Sequence, residues 1–131
     1  MGSGRDAAAC GAAGGTPPAV DREQLDGLVS AAGVDGTREI LAAFWRSTDA
    51  LLASLKQQIA KGDFAAAART AHSLKGSALN VGALGLSDAI RRVEERCRSK
   101  DWNGASESAD GAHQRRAEAE AAYKTLLDRA A

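Results

Sequence analysis

Proline is nearly missing from this chain. Its two prolines, Pro17 and Pro18, are adjacent, and none follows them to the end of the 131 residues. Proline removes a backbone donor and clashes with the preceding turn, so its absence, in a stretch rich in Ala, Leu, Arg, Glu and Lys, predicts an all-α protein. Aromatic residues are also scarce at 4%, whereas hydrophobic residues reach 44% with alanine the commonest. A core of such small side chains must bring backbones close together, which suits helix against helix. The two cysteines, Cys10 and Cys97, lie far apart and fit neither a disulfide framework nor a metal-ligand spacing. No apolar run approaches the roughly 18 residues that cross a bilayer, and the N-terminus lacks the apolar core of a signal peptide. A soluble, cytoplasmic protein is expected, with no membrane partner. Nor is there an excess of either charge: Lys+Arg and Asp+Glu both total 17. That balance argues against a general nucleic-acid binder, which needs surplus cations to displace counterions from phosphates. The length suits one domain and leaves no room for an ATP-binding domain beside another, so ATP-dependent kinase activity of its own is not expected.

What is present organises into a leader and a helical domain. Residues 1–19 are a Gly/Ala stretch ending in the proline pair, with almost nothing large and apolar to bury, and are expected to be a disordered leader. Residues 20–131 carry five helical patterns. The first, about 21–32, opens with Asp21 and Gln24 in capping-box spacing and turns Leu25, Leu28 and Val29 inward. The second, about 36–61, repeats Leu41, Phe44, Thr48, Leu51, Leu55 and Ile59 on one face. Gly62 stops it, and Asp63 is placed to cap the third, about 64–80, whose inner side holds Phe64, Ala67, Ala71, Leu74 and Ala78, with Val81 beyond. Gly82 ends that helix. The fourth, about 83–100, buries Leu86, Ile90, Val93 and Cys97, and the fifth, about 103–129, uses Ala105, Ala109, Ala112, Ala119, Tyr123 and Leu126 around a polar interruption at Arg116. Four long helices with short connections predict an antiparallel up-down four-helix bundle, with the short first helix as a lid on one end.

The segment Ala71-His72-Ser73-Leu74-Lys75-Gly76-Ser77-Ala78 is the most informative. With Ala71, Leu74 and Ala78 inward, His72 points outward, and Lys75, Gly76 and Leu79 fall within about 60° of it on the helix wheel. Glycine inside a helix costs about 1 kcal/mol relative to alanine. Its presence makes sense if another molecule must come close to the imidazole. Lys75 would pair with an anion carried by the ring and would disfavour the imidazolium, favouring the nucleophilic neutral form. Leu79 would give a docking partner something apolar to bury. Together these features describe a histidine that carries a phosphoryl group. Taken singly, each has a plainer reading: a solvated surface histidine, which is the default for His113, an ordinary exposed lysine, and a glycine that lets helices pack closely.

The run His72-Ser73-Leu74-Lys75-Gly76-Ser77-Ala78, then Asn80, Gly82-Ala83 and Leu86, resembles the pattern of histidine-containing phosphotransfer domains of bacterial phosphorelays. Val93-Glu94 stands where that family has a Leu/Val-Glu pair, and Ile40-Leu41, Phe44 and Lys61-Gly62-Asp63-Phe64 resemble its second helix and the turn after it. The resemblance covers about residues 21–102; the last helix agrees only in position and pattern. Trp45 and the Arg91-Arg92 to Arg98 stretch lie outside the family pattern and are expected to tune which partner docks.

The resemblance implies a four-helix bundle in which His72 accepts phosphate at Nε2 from an aspartyl phosphate on a response-regulator receiver domain and passes it to another. Lys75 would neutralise the phosphoryl oxygens, and Gly76 would leave room for the receiver. Glu94 would contact either the ring or the docking partner. The receiver would bring the Mg²⁺, so no cofactor or metal site is expected in this chain. Receivers and a hybrid or sensor histidine kinase are the implied partners, and docking one receiver at a time needs only a monomer. Between Arg69 and Lys100 the chain carries seven cations (Arg69, Lys75, Arg91, Arg92, Arg96, Arg98, Lys100) against three anions (Asp88, Glu94, Glu95). Arg69, Leu79, Arg91, Glu94 and Arg98 are accordingly expected at the partner surface, where a basic face would speed encounter with an acidic receiver pocket. Read one at a time, the arginines are a solvated helix face. Two other readings remain open: the phosphoacceptor module of a chemotaxis-type kinase, and a helical adaptor that binds receivers without exchanging phosphate.

Overall fold

The computed structural model describes residues 17–131. Most of the expected leader, with Cys10, lies outside the described residues. Four helices follow: α1 (Arg22–Ala60), α2 (Phe64–Asn80), α3 (Leu84–Arg98) and α4 (Trp102–Ala130). The first two predicted helices are two arms of α1. They are separated by one non-helical residue, Gly33, with φ 78° and ψ 172°. The expected linker at 33–35 shrinks to that residue, whose carbonyl accepts from Thr37 Oγ1 at 2.7 Å in the first turn of the second arm.

Each helix packs on the next and α4 closes on α1, which makes a four-helix ring. The antiparallel sense is visible in the ion pairs between α1 and α4: Arg38–Asp128, Asp49–Arg116 and Lys56–Asp110 climb one helix as they descend the other. Aspartates start three of the helices. Asp21, Asp63 and Asp101 accept from the backbone N–H of Gln24, Ala66 and Gly104, and each such cap is worth about 1 kcal/mol. The capping-box expectation at Asp21 holds only by half. Gln24 does not reach back to the cap; its side chain donates to the Asn80 carbonyl at 2.7 Å, and Asp21 N–H donates to Gly82.

The start of α3 has no side-chain cap. The turn before it is held instead by tertiary bonds, from Gln24 and Asp21 on one side and from the buried Tyr123 hydroxyl, which donates to the Val81 carbonyl, on the other. Gly82 is required there twice over. Its φ is +77°, and a Cβ would stand 3.1 Å from that of Asp21.

The core joins Leu25, Leu41, Phe44, Leu52, Leu55 and Ile59 of α1 to Leu74, Leu86, Ile90, Val93 and Cys97, with alanines of α2 and α4 between them. Two expected core positions shift by one residue: Leu52 and Leu127 are buried, whereas Leu51 and Leu126 are half-buried at the edge. Leu28, Val29 and Phe64 are likewise half-buried. Trp45 departs further from expectation. It is buried, edge-on to Phe44 and Tyr123, with the Arg116 guanidinium 4.8 Å above its ring, and so belongs to the α1–α4 seam rather than to a docking surface. Arg116 fills its gap in the apolar stripe by pairing both oxygens of Asp49 across that seam. Ahead of α1, Ala19 packs on the core against the start of α3, where its Cα would lie 3.4 Å from a Cβ on Gly85.

Candidate functional site

Alanines 67, 68, 71 and 78 with Leu74 turn one face of α2 into the core, which directs His72 outward, and its side chain is 66% exposed. Leu79, two turns on, is 46% exposed on the same side. Gly76 lies between them in the sequence. A Cβ built on it would meet no atom within 4 Å, so close helix packing does not account for the glycine and the space beside the imidazole is open.

Beneath the ring lies Glu94 of α3, with its side chain only 7% exposed. Its Oε2 is 3.2 Å from His72 Nδ1 and accepts from Arg98 at 2.7 Å, while its Oε1 accepts from Lys75 Nζ at 2.8 Å. Burial pushes this carboxyl upward, but hydrogen bonds from Lys75, Arg98 and His72 more than reverse that and hold it at about 2. The carboxylate is therefore ionised at neutral pH and has only lone pairs to offer, so the ring must present a proton at Nδ1. In the neutral imidazole that leaves the Nε2 lone pair free on the far side of the ring. Such a nitrogen is a nucleophile aimed away from the protein.

His72, Lys75, Glu94 and Arg98 are thus brought together around one carboxylate. Two expectations change. Glu94, expected at the partner surface or against the ring, is buried and taken up by three groups of its own chain, and the contact with the ring is the one present. Lys75 is turned to that carboxylate, so the repulsion expected between its ammonium and an imidazolium is opposed by an anion both groups touch. Arg69 is exposed one turn before His72. Arg91 is exposed as well, but its guanidinium is occupied by Asp88 and Glu95 of its own helix. His113, expected to be solvated, is half-buried, and its Nε2 has no hydrogen-bond partner among the described residues. Among the described residues no cluster of three His, Cys, Asp or Glu has metal-holding geometry, and no helix is long and apolar enough to cross a membrane.

The fold is shared with known proteins. The structure of histidine-containing phosphotransfer protein B (HptB) from Pseudomonas aeruginosa PAO1 superposes with a TM-score of 0.76 at 26% identity, over 86% of this chain and 96% of that one. A rice protein assigned as a histidine-containing phosphotransfer protein shares the fold at a TM-score of 0.75 and 20% identity, over 84% of this chain and 82% of its own. No curated protein matches the sequence. The family model of the Hpt domain matches residues 39–131, a span that holds His72, Lys75, Gly76 and Glu94, and with it the chain belongs to the Hpt domain family.

Proposed function

We propose that this chain is a phosphorelay intermediate that takes a phosphoryl group onto Nε2 of His72 from the aspartyl phosphate of a receiver domain and hands it to the aspartate of another response regulator. The observation that carries this reading is the exposed imidazole with Nδ1 held by a buried, ionised Glu94 and Nε2 facing open space beside Gly76.

In the transfer step the Nε2 lone pair forms the N–P bond while the P–O bond to the aspartyl carboxylate breaks. That carboxylate departs with the bonding pair. The Nδ1 proton stays on the ring, and the positive charge that the ring acquires faces Glu94. Lys75 gives one of its three N–H groups to Glu94, leaving two for the oxygens of the arriving phosphoryl group. Phosphoryl transfer is promoted chiefly by alignment and charge neutralisation, and the side chains here supply both. Gly76 admits the receiver's active-site edge, and Leu79 offers it an apolar contact. The acidic pocket and Mg²⁺ come with the receiver. Receivers, and the hybrid or sensor kinase upstream of them, are the partners of this reading, met in the cytoplasm by a monomer.

The test is incubation of the chain with a phosphorylated receiver. Label should move to His72 as a species stable to base and lost in acid, and His72→Ala should abolish it. Labelling that persists in His72→Ala, or wild type that stays unlabelled across a broad panel of receivers, overturns the assignment. Labelling by a kinase domain with ATP but by no receiver would mark a kinase phosphoacceptor module instead.

A further inference from the structure

The three turns of the bundle close in the same way. In each, the third residue after the helix donates back across the last turn: Asp63 to Gln58, Ala83 to Ala78 and Asp101 to Arg96, all at 2.9 Å. Each closure places one residue in the left-handed region, where glycine fits because it has no Cβ. Two of the turns use glycine, Gly62 at φ 74° and Gly82 at φ 77°. The third uses Lys100 at φ 57°, the only non-glycine residue with positive φ among those described. A lysine is disfavoured in that conformation, so its presence calls for a reason in what the side chain does.

Lys100 lines a groove of about 430 Å³ between the start of α2 and the end of α3. Phe64, Ala68 and Cys97 supply its apolar part, and Arg69, Arg98 and Lys100 supply three cations; no acidic residue lines it. Arg69 and Lys100 make no ion pair among the described residues, whereas Arg91, Arg92 and Arg96 farther along α3 are each paired with an aspartate or glutamate. The groove is continuous with the histidine site. Arg69 is one helical turn from His72, and Arg98 bonds the same Glu94 oxygen as the imidazole. It extends along α2 in the opposite direction from Leu79, so the two features flank His72.

We propose that this basic groove is a second docking contact, which receives an acidic surface segment of the receiver that exchanges phosphate with His72 and, together with Leu79, fixes the receiver's orientation over the imidazole. The inference rests on the phosphotransfer reading and identifies the surface that selects its partner. An acidic segment is the matching occupant because Arg69 and Lys100 make no ion pair among the described residues, Arg98 beside them is already engaged by Glu94, and no acidic residue lines the groove, whose apolar part would accept one aliphatic side chain of that segment. Lys100 is kept in its disfavoured conformation to complete the cationic rim.

The experiment compares wild type, Lys100→Gly, Lys100→Glu and Arg69→Glu. Each is phosphorylated by a receiver that labels the wild type and, separately, by phosphoramidate, a donor too small to span the groove. Thermal unfolding is followed in parallel. The ratio of receiver-driven to phosphoramidate-driven labelling should fall about three- to tenfold at low salt in Lys100→Gly and further in the two glutamate variants, and the differences should narrow at about 0.5 M salt. Lys100→Gly should also keep or raise the unfolding midpoint, since glycine relieves the backbone, and that separates a docking role from a structural one. Ratios equal to wild type in Lys100→Gly and both glutamate variants would overturn the groove while leaving His72 as phosphoacceptor. An equal fall with both donors would overturn it too, as a disturbance of the histidine itself. A wild type that no receiver labels would instead remove the phosphotransfer reading, and the groove's role with it.

Discussion

His72 and Glu94 are 22 residues apart in sequence and 3.2 Å apart in space, imidazole Nδ1 to carboxylate Oε2. The contact crosses from α2 to α3 and sets which ring nitrogen faces the surface. It also ties the histidine to Lys75 and Arg98 through a single buried anion. A change at Glu94 is therefore felt by the nucleophile and by both cations around it.

Glu94 should dominate the acid limb of stability. Its folded value of about 2 lies below the ordinary glutamate value of 4.5, so the ionised form is favoured by folding. The stabilisation is complete above about pH 5 and is lost as pH falls towards 2, up to about 3 kcal/mol in all. Denaturant titrations at a series of pH values should show a flatter acid limb in Glu94→Gln than in wild type. Parallel limbs in the two proteins would show that the carboxylate is not held as described.

Gly76 should separate stability from function. A Cβ there meets nothing in this chain, so Gly76→Ala is expected to raise helix stability by about 1 kcal/mol. The larger Gly76→Gln should fold equally well but slow transfer from a receiver tenfold or more, on the order of 1.4 kcal/mol in the barrier. Unfolding midpoints and transfer rates measured on the same samples decide this. A receiver that transfers to Gly76→Gln at the wild-type rate would remove the steric argument.

Trp45 should behave as a core residue. Trp45→Ala removes the ring that packs on Phe44 and Tyr123 beneath Arg116, and should destabilise the fold by about 3–5 kcal/mol. Calorimetry would register the loss. Receiver affinity of the remaining folded fraction should match wild type, contrary to a role in partner choice.

Tyr123 pins the turn between α2 and α3, near the end of the helix that carries the histidine. Its hydroxyl donates to the Val81 carbonyl, and burial pushes its ionisation upward, so the phenol stays a donor through neutral pH. Tyr123→Phe leaves that carbonyl without its partner and should destabilise by about 1–3 kcal/mol. Amide exchange at Val81–Ala83 should quicken more than exchange in α4.

Much of the helix layout can be read from local chemistry. The bounds of α2 agree with the expected 64–80 because Gly62, Asp63 and Gly82 act on backbone within a turn of themselves. Core positions are less legible where two leucines are adjacent. In Leu51-Leu52 and Leu126-Leu127 either residue continues a 3-4 pattern, and only the neighbouring helix selects the second of each pair. Trp45 and Arg116 are opaque for a related reason: each looks out of place in its own helix until the two helices meet.

The outward set of His72 and Leu79, with Gly76 beside them, follows from helical periodicity alone. The turn of the helix places these residues opposite Ala71, Leu74 and Ala78 whatever else the chain does. The burial of Glu94 under the ring, the choice of Nε2 as the free nitrogen and the left-handed Lys100 beside Arg69 and Arg98 all depended on how α3 lies against α2. These are distances between groups far apart in the chain, and no pattern within one helix encodes them.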